Sequence, residues 1–152
     1  MTTSGGREAK VLFKLEKDAD DYPPDDWESL WAKEVGNGGL YCIDNIPFFI
    51  RGISLGDIVL VQKLNKELRF DRIIEPSTHS VLRVILFEME NLAALKKQIS
   101  SFGCEWEAAH IDGLIAIDVP GTVTIEAVLD YLKAGEDEGL WSYEEASLRH
   151  AF

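Results

Sequence analysis

The stretch Val81-Leu82-Arg83-Val84-Ile85-Leu86-Phe87, followed by Asn91-Leu92-Ala93-Ala94-Leu95-Lys96-Lys97-Gln98-Ile99-Ser100-Ser101-Phe102-Gly103, decides how the second half of this 152-residue chain folds. The first segment is rich in valine, leucine and isoleucine and suits a strand. The second sets Leu92, Leu95, Ile99 and Phe102 at helical spacing, and Gly103 follows as a helix-ending glycine would. Downstream, Cys104 to His110 and Leu114 to Val119 flank Asp112-Gly113, a turn signal that makes them a hairpin. Thr124 to Ala134 returns to helical spacing through Ile125, Val128, Leu129 and Leu132, with Gly135 as its expected terminator. Leu140 to Leu148 then reads as a last strand, although its adjacent glutamates Glu144 and Glu145 also suit a helical turn. Strand, helix, strand, strand, helix, strand is the split βαβ order of a ferredoxin-like fold, expected here over residues 79–150.

Upstream of Glu75-Pro76-Ser77 the pattern differs. Lys10 to Lys17 alternates, with Val11, Phe13 and Leu15 on one face. Asp18 to Asp26 contains Pro23-Pro24 and reads as a polar loop. Trp27 to Val35 and Gly39 to Ile43 flank Gly36-Asn37-Gly38 as a hairpin, and Asn65-Lys66 turns Ile58 to Leu64 back into Glu67 to Ile74. Five short strands with almost no helix signal predict a small barrel-like sheet over residues 8–76. The expected class is α+β, a five-stranded barrel-like subdomain followed by the ferredoxin-like half.

Composition narrows the setting. A chain of this length buries roughly 68–70% of its unfolded surface, enough for a core without staples. No signal-peptide pattern opens the chain and no long apolar run occurs, so neither export nor a membrane span is expected. Cys42 and Cys104 show no paired spacing and read as free thiols, consistent with a reducing cytoplasm. The net charge of −12 argues against nucleic acid or an anionic membrane as partner. The charge is uneven, with seven acids against Lys17 alone from Glu16 to Glu28, and eleven against Lys133 alone from Glu105 to Glu145. Such acidity forms either an ordinary solvated surface or a face that meets a basic partner.

The run Asn45-Ile46-Pro47-Phe48-Phe49, with Arg51-Gly52-Ile53-Ser54-Leu55-Gly56-Asp57 and then His79-Ser80 and Arg83, resembles the motifs of a bacterial family known as domain of unknown function 4265. The resemblance covers roughly residues 10–150 and implies no catalytic residues. By physics, Pro47 and Gly52 shape the backbone, Phe48 and Phe49 fill a core, and Gly56-Asp57 makes a turn. Arg51, Asp57, His79 and Arg83 are polar residues amid apolar ones. They form either a buried ionic network joining the two halves or an anion-binding groove at their junction.

Recognisable catalytic chemistry is sparse. His79 and Ser80 are neighbours on a strand and point to opposite faces, which disfavours a dyad. His110 reads as a solvated turn residue and His150 as frayed and exposed. No HExxH, paired Cys/His spacing, calcium loop or phosphate-cradling glycine loop occurs, so no metal or cofactor is expected. The function expected first is a non-catalytic acidic protein-binding domain, specifically an immunity protein occluding the basic active site of a toxin. Glu105, Glu107, Glu136, Asp137, Glu138, Glu144 and Glu145 supply its field, and Trp141 and Tyr143 its aromatic anchors. Trp106 lies between two glutamates and is expected to be buried. A small-molecule sensor is the alternative, and an enzyme with a junction site through His79 and Arg83 or Arg51 the weaker one. Oligomeric state is not legible.

Overall fold

The computed structural model describes residues 7–150, and the chain divides into two compact units, one ending at Ser77 and the other beginning at Thr78. The first unit holds β1 (Glu8–Lys14), β2 (Trp27–Glu34), β3 (Leu40–Ile43), β4 (Ile58–Leu64) and β5 (Glu67–Glu75). Successive strands pair antiparallel, and β5 pairs parallel with β1 through Val11 opposite Leu68 and Leu12 opposite Arg69, closing a barrel. Period-two alternation explains the closure, because one side of each strand is apolar. Val11, Phe13, Leu30, Ala32, Ile43, Ile53 and Val59 are buried together inside, and Phe13 stacks on Phe70. Closing the sheet also removes the unpaired edges that an open sheet exposes. Asn65 and Lys66 both have positive φ, at 50° and 71°, the conformation a two-residue hairpin turn requires.

The second unit holds β6 (Ser80–Leu86), α1 (Leu92–Ser101), β7 (Glu105–Ala108), β8 (Leu114–Val119), α2 (Ile125–Asp137) and β9 (Trp141–Ser147), with one 3-10 turn at Met89–Asn91 leading into α1. Its four strands form an antiparallel sheet in the order β7-β8-β6-β9. Leu82, Val84 and Leu86 of β6 and Ile115, Ile117 and Val119 of β8 pack with Leu95 and Ile99 of α1 and with Val128 and Leu132 of α2. Each such side chain, fully buried, contributes about 1.5–3 kcal/mol. Over the described residues the chain is therefore α+β, with two α-helices and two sheets.

Two details differ from expectation. Gly135 does not end α2: the helix runs on to Asp137, and Gly139, with φ 76°, follows it. A Cβ on Gly135 would sit 2.0 Å from the Trp141 ring, so glycine is required there by packing. Glu144 and Glu145 form no helical turn; they lie in β9, opposite Arg83 and Leu82 of β6. Among the described residues no helix is long and apolar enough to cross a membrane.

Candidate functional site

The motif that distinguishes the sequence is held by carboxylates turned on backbone. Glu28, on the inward side of β2 and 8% exposed, accepts hydrogen bonds from the backbone N–H groups of Phe48, Phe49 and Ile50 at 2.7, 3.1 and 2.8 Å. One buried carboxylate thereby satisfies three consecutive donors of a segment outside any ladder. The Asn45 side-chain oxygen accepts from the Trp31 N–H at 2.6 Å. Asp57, fully buried, accepts from the backbone N–H of Ser54 at 2.9 Å and of Ser77 at 2.8 Å, and the Ser77 hydroxyl donates to the Leu55 carbonyl at 2.7 Å. Gly52 and Gly56 take the positive φ that this looped path needs, at 76° and 87°. The motif is thus a scaffold around Glu28 and Asp57. Arg51 lies exposed within it.

The second unit carries charge on the side of its sheet away from the helices. The pleat that sends Leu82 and Val84 toward the helices sends Arg83 the other way. Cross-strand register sets Glu107, Ala116, Arg83 and Glu144 in one row across all four strands. Arg83 is 4% exposed and meets the Glu144 carboxylate at 3.4 Å, so its buried charge is compensated. One row over, Asp118 lies opposite Glu105 and Val81. Asp118 is nearly fully buried, and its carboxylate accepts from His79 Nδ1 at 2.7 Å. Burial pushes the Asp118 carboxyl up, and the Glu105 charge adds to that, against the opposing hydrogen bond and charge of His79 and the charge of His150.

His150 is not frayed, contrary to expectation. Its Nε2 lies 2.9 Å from the Pro120 carbonyl, to which it donates, and its Nδ1 lies within hydrogen-bond distance of the Ser80 hydroxyl at 2.6 Å. Ser80 Oγ in turn accepts from the backbone N–H groups of Arg149 and His150 at 2.8 and 3.2 Å. This resembles a nucleophile and base in composition only. Ser80 is fully buried, and the arrangement ties the C-terminal segment to β6.

The nine residues expected to bind a partner separate into groups. Glu105 and Glu107 lie on β7 and Tyr143, Glu144 and Glu145 on β9, the opposite edges of the sheet and about 14 Å apart at ordinary strand spacing. Glu136, Asp137 and Glu138 form the C-terminal end of α2, where Glu136 accepts from the Tyr143 N–H at 3.2 Å and Asp137 pairs with Lys133 at 3.3 Å. Trp141 must be withdrawn from the surface set. It is 3% exposed, its ring fills the space over Gly135, and its indole N–H donates to the Leu132 carbonyl at 2.8 Å. Tyr143 is half-buried against the core, as is Trp106, whose ring carries Lys96 at 4.2 Å. Beside the end of α2 lies a cleft of about 170 Å³ lined by Asn91, Ala94, Tyr131, Gly135, Glu138 and Trp141, among others. Among the described residues no His, Cys, Asp and Glu cluster suits a metal ion.

These features define a two-unit α+β protein whose distinctive motif is structural and whose surplus acidity is concentrated in the second unit. The chain belongs to the family described as Domain of unknown function (DUF4265), which matches residues 28–143. No curated protein matches it. A crystal structure of a hypothetical protein from Neisseria gonorrhoeae is similar over 95% of this chain and 98% of that one, at 20% identity and a TM-score of 0.74, a likeness of fold.

Proposed function

We propose that this protein is a non-catalytic, acidic protein-binding domain of the cytoplasm, and specifically an immunity-type inhibitor that occludes the basic site of a cognate toxin. The observation that carries this reading is the end of α2. Glu136, Asp137 and Glu138 stand there exposed, with no basic residue in the last turn. A helix C-terminus is the negative end of the macrodipole and favours cations; Lys133 offsets Asp137 and the Tyr143 N–H offsets Glu136, which leaves Glu138 as the acid there that stands against local stability. Rules broken at a surface without local gain mark a place selected for something other than stability. A basic partner supplies the missing cations, and such fields accelerate encounter to about 10⁸–10⁹ M⁻¹s⁻¹ at low salt. In this reading the second unit is a ferredoxin-like module, supported by its strand order and element sequence.

The test is retention of a basic protein from lysate by the tagged chain at low and at 0.5 M salt, with the Glu136, Asp137 and Glu138 charge reversals to lysine alongside. The reading expects a stoichiometric basic partner, slower association of the reversed variant and a flatter salt dependence. Unchanged partner binding by the reversed variant at low salt removes this surface from the interface. The sensor alternative has the cleft in its favour, but about 170 Å³ lies below the roughly 300–1,000 Å³ of typical ligand sites.

A further inference from the structure

We infer that the cleft between α1 and the end of α2 is a socket for a cationic side chain of that partner. The inference rests on the reading above and names its anchoring site. The cleft's wall is aromatic, with Tyr131 and Trp141 meeting at a centroid distance of 5.6 Å and an angle of 50°. Tyr131 is the half-buried ring of that wall, with the buried Trp141 behind it, and an aromatic ring attracts a cation through its negative face. The carboxylate in the lining is Glu138, exposed and just beyond the last residue of α2. Aromatic wall and acidic rim together match the aliphatic stem and charged head of lysine or arginine.

The helix ends sharpen the charge argument. The carbonyls of Ala134, Gly135 and Glu136 already accept from the N–H groups of Glu138, Leu140 and Gly139, so the backbone there is capped while Glu138 adds a full negative charge. The indole N–H of Trp141 is engaged by the Leu132 carbonyl, which fixes the ring at the cleft. Gly135 lets that ring lie directly on α2, where a Cβ would displace it. An anionic ligand meets the carboxylate at the mouth and is disfavoured. The volume that is small for a drug-sized ligand suits one side chain.

The proposal is tested on the full chain by ¹H–¹⁵N correlation spectra during titration with tetralysine, tetra-arginine and tetralysine acetylated on its side chains. The expected result is saturable shifts confined to Ala94, Gly135, Glu138 and the Trp141 indole with the two cationic peptides and none with the acetylated one. The stronger of the two cationic peptides identifies which side chain the socket takes. Glu138→Gln, close to isosteric, is expected to weaken binding about threefold, the scale of one exposed ion pair lost. Ala94→Leu, a substitution on the exposed side of α1 that fills the cleft, is expected to abolish the confined shifts while Glu138 remains. Absence of shifts, or shifts spread over Glu105, Glu107 and Glu145 with equal strength in both variants, overturns the proposal. Peptide binding at the cleft without any retained lysate partner removes the inhibitor reading and leaves the socket. A retained partner whose binding ignores both variants removes the socket and leaves the reading.

Discussion

The two units bury carboxylates to opposite ends. In the barrel, Glu28 and Asp57 turn on backbone N–H groups and hold a loop that no ladder holds. In the second unit, the buried Asp118 and the partly exposed Glu144 turn on side chains, His79 and the buried Arg83. The first unit contains ten bases and fourteen acids and the second five bases and thirteen acids, so the unit that spends fewer acids on its own backbone also holds the larger surplus. Acidity alone therefore does not identify a binding surface; what each carboxylate already touches separates scaffold from available charge.

The largest expected effect compares packing inside one unit with packing inside the other. Gly135→Ala in the second unit forces a Cβ into the Trp141 ring and is expected to cost about 3 kcal/mol, at the upper end for overpacking. Gly38→Ala in the barrel meets open space at an ordinary φ and is expected to change stability by less than about 1 kcal/mol, with a stabilising sign. Urea unfolding of both variants measures the contrast, and equal losses would break it. Glu28→Ala comes next, with an expected loss of about 2–3 kcal/mol because three backbone donors lose their acceptor. Glu28→Gln, which keeps one acceptor oxygen, is expected to lose less. If both are silent in urea unfolding, the motif loop is not held by this carboxylate.

A smaller effect separates the units by pH. The folded-state value of Asp118 lies above its ordinary 3.8, with burial as the main cause, so the folded state favours the protonated carboxyl. Its contribution to stability is fully present below the unfolded value and is lost as pH rises through the folded one. Asp118→Asn removes that dependence, so wild-type stability relative to the variant is expected to fall across this acidic window. A difference that rises instead shows His79 dominating over burial. The smallest effect concerns thiols. Cys104 is buried and pushed up to about 12, while Cys42 is half-buried and raised to a lesser extent, again by burial first. Alkylation at neutral pH is expected to modify Cys42 slowly and Cys104 only on unfolding; the reverse order by mass spectrometry would place the looser core in the second unit.

Much of this architecture was legible from alternation and turn residues. The strand over Leu114–Val119 was found with its observed bounds, because Asp112-Gly113 and Pro120 punctuate it. The end of α2 was not, because a glycine inside a helix and a glycine after one look alike until the ring that Gly135 accommodates is known. Trp141 looked like a surface anchor because its neighbours Tyr143, Glu144 and Glu145 are polar or amphipathic, yet the pleat turns it inward. Glu28 was missed although a signal existed: it shares the inward side of β2 with Leu30 and Ala32, where a carboxylate needs a reason. Its partners at Phe48 to Ile50 are distant in sequence, and a single chain offers no way to join them. The bonds from Ser80 to the C-terminal segment leave no trace in a single sequence for the same reason.

The parallel pairing of β1 with β5 carries a consequence for biosynthesis. Strands β2, β3 and β4 each pair with their sequence neighbours, but β1 finds its second partner only in the last strand of its unit. Closing so long a loop costs entropy before any contact repays it. On the ribosome, β1 and β2 emerge early, yet the open side of β1 stays a bare edge until Leu68 and Arg69 have been made. The barrel therefore closes late, and the interval before closure is when the nascent chain is most exposed to wrong pairing.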